Sequence, residues 1–502
     1  MNKQLLKINL TITACLWGVT LQAQVKLNDI SLWGKQNSPG LLVIKEYKEQ
    51  KASDIYIANY KKLFEEKNSI QKELTDNYKP WSSSYWPDAY GGIALRWQTL
   101  KDRPYPVGFE YTAIPLRLLN QMPENVRAEL SKPYYRTHEI DDEWMEQLPK
   151  KVKSEIEQIY ENSGPYQFDH YKRFLKFKGP SKKQLRNMSQ KEIDLLSPAE
   201  KFDIYTGSYR YPLTKKVLRQ ATSDGKKVKY WTGICNGWTN AAMAVYEPKA
   251  KRLINSDGIV VNFASSDFKG LLSYYYSQVK KQKRFAKKHD GKQVGLRCKQ
   301  TIAEDEWMRN DETGKEYIVK SSGNNQDQKI LVKPECRDVN PGSFHIILAN
   351  QIGRLNRGFA AEVVRDSEVW NQPVFGYDSS YEVLDKMKSY RTQGAVKQLK
   401  VTTKMYYADD GGMEYWTNPT EGEEFYAWLK HTTGTENYKQ DHREYQYYLD
   451  INQFDEIIGG HWISYERPDF VWIKKNPVMF GNARGTLKTL EPLVKLVKQR
   501  KL

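Results

Sequence analysis

The sequence predicts an α+β protein in which a helix carrying a cysteine packs on an antiparallel sheet. The helix is expected after Cys235, because Ala241, Ala242 and Ala244 are strong helix formers and Pro248 ends the pattern. The sheet is expected from strand-like runs after residue 400. The chain before residue 200 is polar and helix-leaning, with several proline breaks. With 502 residues, the chain is long enough for a large core.

The first 23 residues are predicted to be a signal peptide. Lys3 and Lys7 form a charged start, an apolar body follows, and Ala23 ends a cleavage site. A second interpretation is a lipoprotein signal that leaves a lipidated Cys15, but the apolar run continues past that residue and favours cleavage after Ala23. The protein is therefore expected to be secreted, periplasmic or on the cell surface, and no later segment is apolar enough to cross a membrane.

The remaining chain is divided into three predicted regions. Residues 24–200 form a helix-rich N-terminal region, residues 201–475 a catalytic region and residues 476–502 a basic tail. An aromatic, proline-containing loop is expected at 80–97. Ser197 and Glu200 around Pro198 are typical of a helix start, with the serine as N-cap. Whether residues 24–200 are a removable pro-segment is left open.

The formal net charge of +17 and the isoelectric point of about 9.2 raise the question of a polyanionic partner. No zinc finger, RNP-like segment or basic heptad accompanies the lysines, so a solvated surface is favoured over nucleic-acid binding. The sequence requires no cofactor. Acidic turns such as Asp409–Gly412 do not have the spacing of a calcium-binding hand, and calcium dependence is left open.

Cysteine counting separates one thiol from the others. If Cys15 leaves with the signal peptide, Cys235, Cys298 and Cys336 remain. Cys298 and Cys336 flank a polar stretch that a disulfide could close, which leaves Cys235 unpaired. A thiol in the first turn of a helix faces the positive end of the helix dipole, and this favours the nucleophilic thiolate. The alternative is a buried cysteine that packs as a small apolar residue.

His345 is the predicted base. It is expected at the mouth of an apolar strand after the Pro341–Gly342 turn, with residues 359–374 continuing as a neighbouring strand. In that register His345 lies opposite Val364, and Glu362 and Asp366 share its face. A thiol at a helix start and a histidine about a hundred residues later form the Cys–His arrangement of papain-like enzymes.

At these residues the sequence resembles the transglutaminase elicitor family, cell-wall transglutaminases of oomycetes with bacterial relatives. The most specific motif is Val369–Val374 (Val-Trp-Asn-Gln-Pro-Val), which matches the start of a surface peptide that plants sense in the oomycete enzyme. The continuation from Phe375 departs from that peptide, so its role in plant recognition is not carried over. The resemblance covers roughly residues 75–475. Further matching stretches are 81–86, 197–203, 233–238, 340–345, 457–460 and 468–470.

The resemblance implies a papain-like fold and acyl transfer from a peptide glutamine to a lysine or other primary amine. Cys235 would be the nucleophile and His345 the base. The third catalytic member is left open among Asp366, Asn371 and Glu362. The partners would be protein substrates with accessible glutamine and lysine.

Three tryptophans near the thiol are candidate substrate-binding residues. Trp231 and Trp238 could exclude water from the thioester, so that an amine meets it instead, and Trp370 precedes Asn371. Ordinary core packing is the alternative for the first two, and a packed turn before Pro373 is the alternative for Trp370 and Asn371.

Two rival functions remain at this stage. A papain-like peptidase or protein glutamine deamidase would use the same Cys–His pair and give the thioester to water. A non-catalytic surface binder would keep Cys235 only as a packing residue.

Overall fold

The computed structural model describes residues 56–86, 88, 91–94, 96, 116–130, 142–163, 177–221, 231–279, 292–297, 302, 304–320, 328–333, 336, 338–363, 368–409, 440–473 and 486–500. The predicted signal peptide with Cys15 and Ala23 lies outside these residues, as do Asp366 and Cys298. Among the described residues, no helix is both long and apolar enough to cross a membrane.

The helices of the described chain are mostly short. They are α1 (Tyr60–Leu63), α2 (Leu116–Leu119), α3 (Glu124–Leu130), α4 (Asp142–Glu146), α5 (Lys150–Ser163), α6 (Lys182–Asn187), α7 (Gln190–Asp194), α8 (Pro198–Tyr205), α9 (Pro212–Ala221), α10 (Cys235–Ala244), α11 (Ser265–Val279), α12 (Pro341–Leu348), α13 (Thr486–Thr489) and α14 (Glu491–Val494). A 3₁₀ turn covers Gly92–Ala94, and a π-helical segment, Ala349–Arg354, extends α12.

The strands concentrate in the second half of the chain. They are β1 (Ser69–Glu73), β2 (Lys251–Ile254), β3 (Val260–Phe263), β4 (Lys292–Gly295), β5 (Trp307–Arg309), β6 (Glu316–Lys320), β7 (Gln328–Leu331), β8 (Phe359–Glu362), β9 (Asn371–Val383), β10 (Lys397–Ala408), β11 (Gln440–Ile451), β12 (Ile457–Trp462) and β13 (Phe470–Ile473).

Within the described chain, eight strands form a curled antiparallel sheet in the order β12-β11-β10-β9-β8-β13-β4, with β1 paired to β9. The mixed helix-and-sheet class predicted from the sequence is confirmed. Two smaller antiparallel sheets, β2-β3 and β5-β6-β7, stand apart from it. Strand β9 is the centre of the architecture, because it pairs with β10, β8 and β1 along different parts of its length.

Two large hydrophobic cores flank this sheet. We call the first the cysteine-side core; it joins α8, α9, α10 and α11 and contains Cys235 and Trp238. We call the second the inner core; it fills the curl of the sheet with side chains of α12 and β8–β13, including Phe344 and Tyr447. The separation of the two cores decides which predicted site residues can meet.

Several local predictions are confirmed because short-range chemistry determines them. Ser197 caps α8, with reciprocal bonds between its side chain and backbone and those of Glu200. Strands β2 and β3 pair around an Asp257–Gly258 turn, and Gly258 has a φ of +77°, which a glycine adopts without strain. The cysteine helix begins at Cys235 and ends at Ala244.

The N-terminal region contributes to both cores. Its stretch 69–73, predicted to be helical, is instead strand β1 and pairs with β9. Tyr56 and Tyr60 pack in the inner core, and Trp81 and Trp86 pack in the cysteine-side core. The predicted boundary at residue 200 stays a prediction: these four aromatic residues share their cores with the later chain, whereas the buried side chains between Leu118 and Ile156 form a separate hydrophobic cluster.

Residues 359–374 do not form one continuous strand as predicted. They form β8 and the start of β9, which pair with each other as a hairpin. The chain therefore reverses between Glu362 and Asn371 and brings these two residues directly opposite each other. This hairpin positions the residues that contact the cysteine.

Candidate active site

Cys235 is the first residue of α10, and the turn before it fixes its place. The amide of Ile234 donates to the carbonyl oxygen of Tyr85 over 2.7 Å. A Cβ on Gly233 would overlap that same oxygen, so only glycine allows the two backbones to approach so closely. The thiol is not in a disulfide, and Cys235 is 8% exposed. The sequence prediction of a thiol at a helix start is what the structure shows.

The rest of α10 is held tightly against α11. A Cβ on Gly237 would overlap the carbonyl oxygen of Ser273, and Ala241 and Ala242 are fully buried between the helices and the sheet. Small side chains on this helix therefore set the depth at which the thiol lies. The amide of Gly237 donates to the carbonyl oxygen of Ile234 over 2.9 Å, and the amino-terminal end of α10 provides partial positive charge close to the sulfur.

The sulfur lies over the start of β9. The Nδ2 atom of Asn371 is 3.5 Å from the Sγ of Cys235, at hydrogen-bonding distance for sulfur. On another side, the thiol donates to the carbonyl oxygen of Val369 over 3.6 Å. Asn371 is 4% exposed, and its Oδ1 accepts no hydrogen bond in the described chain. The structure thus brings together Cys235 and Asn371, two of the four predicted catalytic residues.

Glu362 lies beside this pair. It is opposite Asn371 in the β8–β9 hairpin and is fully buried. Its Oε1 accepts a hydrogen bond from the backbone amide of Trp370 over 3.2 Å. The carboxylate therefore holds the backbone of residues 369–370, just before Asn371. The carbonyl oxygen of Val369 in the same segment accepts from the thiol. The contact that Glu362 makes therefore stabilises the backbone beside the thiol.

Trp370 lies on the solvent side of the segment that contacts the thiol. Its indole Nε1 donates to Glu368 over 2.8 Å, and its ring meets Tyr85 edge to face at 5.0 Å between centroids. The carbonyl oxygen of Tyr85 also accepts a hydrogen bond from the amide of Ile234. One aromatic residue therefore contacts both the turn before Cys235 and the turn before Asn371. Trp370 is half-buried, which leaves part of its surface available to a substrate.

The other two predicted substrate-binding tryptophans differ from each other. Trp238 is fully buried, and its Nε1 donates to the carbonyl oxygen of Trp81 over 3.0 Å, so it is a core residue with no surface for a substrate. Trp231 is half-buried, and the guanidinium of Arg297 lies 5.3 Å from the centre of its ring. The core-packing alternative therefore describes Trp238 and does not describe Trp231.

His345 lies on a helix, and the prediction of a strand at this position is wrong. Asn340 caps α12 by accepting from the amides of Gly342 and Ser343, and Pro341 occupies the first turn. His345 is 1% exposed. Burial lowers the pKa of its imidazole to about 3, so the ring is neutral at physiological pH.

The neighbours of His345 belong to the inner core. Its Nδ1 lies 2.8 Å from the hydroxyl of Tyr447, which in turn lies 2.7 Å from the hydroxyl of Thr403. Its ring stacks on Phe64 at 5.0 Å between centroids. These contacts are those of a histidine that packs inside a core with its Nδ1 hydrogen-bonded.

The register of the hairpin shows on which face Cys235 lies. Antiparallel partners share a face, and side chains alternate along each strand. Glu362 pairs with Asn371, and Phe359 pairs with Val374, three residues further along each strand. The two pairs therefore point to opposite faces of the sheet. The thiol of Cys235 contacts the face that carries Asn371.

The same register places His345 on the other face. Val374 pairs with Tyr407, and Thr403 lies four residues from Tyr407 on the same strand, so the two share the face of Val374. Thr403 bonds to Tyr447, the partner of His345. The sheet thus stands between His345 and Cys235, and the predicted Cys–His pair is not assembled.

Two further histidines are among the described residues, and both lie on strands beyond β10. His442 on β11 packs near Tyr406, and His461 on β12 meets Tyr390 edge to face. Asp366, the other predicted carboxylate, falls outside the described residues between β8 and β9.

The state of the two described cysteines agrees with the pairing expected from the cysteine count. Cys336 is disulfide-bonded, and Cys235 is not. The predicted partner of Cys336, Cys298, lies outside the described residues. Within the described chain, no group of three or more His, Cys, Asp or Glu residues has the arrangement of a metal site.

Sequence reasoning missed two contributors to the site. Tyr85 reaches both the turn before Cys235 and the turn before Asn371, and the carbonyl group of Val369 accepts from the thiol. The signal for Tyr85 was present, because it belongs to the aromatic, proline-containing loop expected at 80–97. A backbone carbonyl has no side-chain signature, so Val369 could not have been found in this way.

Comparison with known proteins gives two findings. Residues 312–481 match the family model described as Transglutaminase elicitor. This span contains Glu362, Trp370 and Asn371, and it begins after Cys235. No curated protein matches the chain.

Among solved structures, the chain is similar to the crystal structure of the GP42 transglutaminase from Phytophthora sojae. The identity is 18%, the match covers 88% of this chain and 96% of that one, and the TM-score is 0.38.

Proposed function

We propose that this chain, whose residues 312–481 match the transglutaminase elicitor family model, is a protein-glutamine γ-glutamyltransferase with Cys235 as its nucleophile. The observation that carries the proposal is the contact between Cys235 and Asn371, which joins a thiol at a helix start to the hairpin of the family-matched region. The proposed setting of this activity is outside the cytoplasm, as the predicted signal peptide implies.

The proposed reaction has two halves. The sulfur of Cys235 bonds to the carbonyl carbon of a peptide glutamine, the carbon–nitrogen bond breaks, and ammonia leaves with the proton of the thiol. A primary amine then attacks the thioester, the carbon–sulfur bond breaks, and a proton of the amine returns to the sulfur. The products are an isopeptide bond and ammonia, and the enzyme is regenerated.

We assign three roles to this chain's residues. Asn371 donates from Nδ2 to the sulfur and stabilises its negative charge. The first-turn amides of α10 face the oxyanion that forms when the glutamine carbonyl is attacked. Glu362 positions the Trp370–Asn371 segment through the amide of Trp370.

The proton acceptor is proposed from the sequence between β8 and β9. Asp366 belongs to that connection, and both strands end beside the thiol, at Glu362 and Asn371. We propose Asp366 as the carboxylate that receives or relays the thiol proton. No step passes through His345, because the ring lies in the inner core on the opposite face of the sheet.

The test is incorporation of a fluorescent primary amine into a glutamine-containing protein such as dimethylcasein. Wild-type protein should label the acceptor, and Cys235→Ala and Cys235→Ser should both lose labelling while keeping the wild-type melting temperature. Conversion of glutamine to glutamate, or chain cleavage, without an amine adduct would contradict the proposal and support the hydrolytic rival.

A further inference from the structure

A second concave site lies at the other end of the cysteine helix. It is a cavity of about 780 Å³ enclosed by three chain segments, 76–81, 246–251 and 496–500. Five basic and two acidic side chains line it. We call it the basic groove.

Hydrogen bonds connect the three backbone segments that line the groove. The C-terminal segment pairs with the chain that follows α10, through bonds from the amide of Tyr246 to the carbonyl oxygen of Lys498 and from Arg500 to Ala244. The guanidinium of Arg500 is almost fully buried and donates to the carbonyl oxygens of Tyr78 and Lys79. Arg500 thereby ties all three segments together.

Each acidic side chain of the groove lies within ion-pair distance of a lysine. Asp76 is exposed and lies 3.5 Å from the Nζ of Lys79, which also pairs with Glu73 at 2.8 Å. Glu247 lies 2.6 Å from the Nζ of Lys269, a buried lysine behind the groove. Within the described chain, neither carboxylate lies within ion-pair distance of the other three lysines of the lining.

Three lysines of the groove are exposed and have no carboxylate within ion-pair distance in the described chain: Lys249, Lys251 and Lys498. The ammonium of Lys498 also lies 5.1 Å from the centre of the Tyr246 ring, which holds it over the cavity. Three unneutralised ammonium groups around one concave surface attract carboxylates in water. The groove therefore has the chemistry of an acidic-ligand site.

We propose that the basic groove binds acidic segments of the protein substrates, an inference that rests on the proposed function. Helix α10 begins at Cys235 and ends at Ala244, which spans about 15 Å at 1.5 Å per residue. An extended peptide covers that distance in roughly five residues. Preferred substrates should accordingly carry aspartate or glutamate about five or more residues from the reactive glutamine.

The binding test uses a fluorescent peptide of alternating glutamate and glycine that contains no glutamine. Its fluorescence anisotropy is measured with wild-type protein, with Cys235→Ala, and with the triple variant Lys249→Gln, Lys251→Gln, Lys498→Gln. We expect the triple variant to bind about tenfold more weakly at low ionic strength, because three ion pairs are lost. Cys235→Ala should bind as wild type does.

The matched control removes the same charge elsewhere. Lys62, Lys183 and Lys329 are exposed lysines outside the groove, and their triple replacement by glutamine should leave the affinity within about twofold of wild type. Equal weakening by both triple variants would overturn the proposal, because net charge would then explain the effect. Tighter binding of an acidic polysaccharide such as heparin, lost in the groove variant, would overturn the assignment of a peptide ligand.

A kinetic test separates failure of the groove from failure of the proposed function. Two glutamine peptides are compared as acyl donors, one with an acidic cluster five residues from the glutamine and one with serines there. Wild type should show a lower KM for the acidic peptide, and the groove variant should lose that preference with kcat unchanged. If amine transfer occurs but shows no preference for the acidic peptide, the proposed role of the groove is wrong and the proposed function stands. If the acidic peptide binds the groove but no amine transfer occurs, the proposed function is wrong and the groove's binding of acidic peptides stands.

Discussion

The side-chain amide of Asn371 lies 3.5 Å from the sulfur of Cys235, although 136 residues separate them in sequence. The contact joins the start of α10 to the start of β9, the strand at the centre of the main sheet. A donor aimed at sulfur stabilises thiolate more than thiol. Reactivity of the cysteine should therefore depend on a residue that is neither a base nor a metal ligand.

Asn371→Ala should lower amine transfer by about ten- to a hundredfold, because one charge-stabilising donor is lost. Asn371→Asp should lower it at least as much, since a carboxylate beside the sulfur raises the pKa of the thiol. The check is the pH dependence of iodoacetamide alkylation at Cys235, whose midpoint should move to higher pH in both variants. An unchanged midpoint with a wild-type rate would contradict the role of Asn371.

Glu362→Ala should destabilise the protein by about 2 kcal/mol, because the half-buried amide of Trp370 loses its acceptor. Glu362→Gln keeps an acceptor oxygen in the same place and should retain most of the stability. Thermal unfolding and amine transfer are measured on both variants. Loss of activity in Glu362→Gln at wild-type stability would indicate that the carboxylate charge acts in the reaction.

His345 should make the protein sensitive to acid. Its pKa is lowered by burial to about 3 in the folded protein, against about 6.5 in the unfolded chain. Between these values the unfolded chain binds more protons, so the free energy of unfolding falls as pH falls, by up to about 1.4 kcal/mol per pH unit. Urea unfolding between pH 7 and pH 4 measures this slope.

His345→Gln should reduce that slope and leave amine transfer at pH 7.5 within about threefold of wild type, after correction for the folded fraction. A loss of a hundredfold or more in a variant that is folded at the assay temperature would restore the histidine as the base. It would also require a rearrangement of the sheet that now stands between it and the thiol.

Gly237→Ala should destabilise the protein by more than about 2 kcal/mol, because the new methyl group overlaps the carbonyl oxygen of Ser273. The matched control is Asn236→Ala, one residue earlier on the same helix and half-exposed. Its effect on the melting temperature should be small. Equal melting temperatures for the two variants would show that α10 does not depend on this close approach.

The sequence predicts those parts of the structure that short-range chemistry determines. The Ser197 cap, the Asp257–Gly258 hairpin and the start of the cysteine helix all follow from residues within a few positions of each other. The contact of Cys235 with Asn371 was approached through a resemblance, since no local pattern connects them.

The prediction of a strand at His345 failed for a physical reason. Residues 344–349 are apolar almost throughout, and such a run fits a buried helix as well as a buried strand. The Asn340–Pro341 pair was the available signal, because an asparagine cap followed by proline is typical of a helix start. Which face of the sheet His345 occupies depends on the register of four strands, and no single segment of sequence contains that information.

The most direct measurement of the central claim is peptide mapping of the trapped acyl-enzyme. Wild-type protein is mixed with a glutamine donor peptide without amine, quenched in acid, digested at low pH and examined by mass spectrometry. We expect an acid-stable, hydroxylamine-sensitive acyl adduct on the peptide that contains Cys235, and none in Cys235→Ala. An adduct on a different residue, or amine transfer that survives Cys235→Ala, would contradict it.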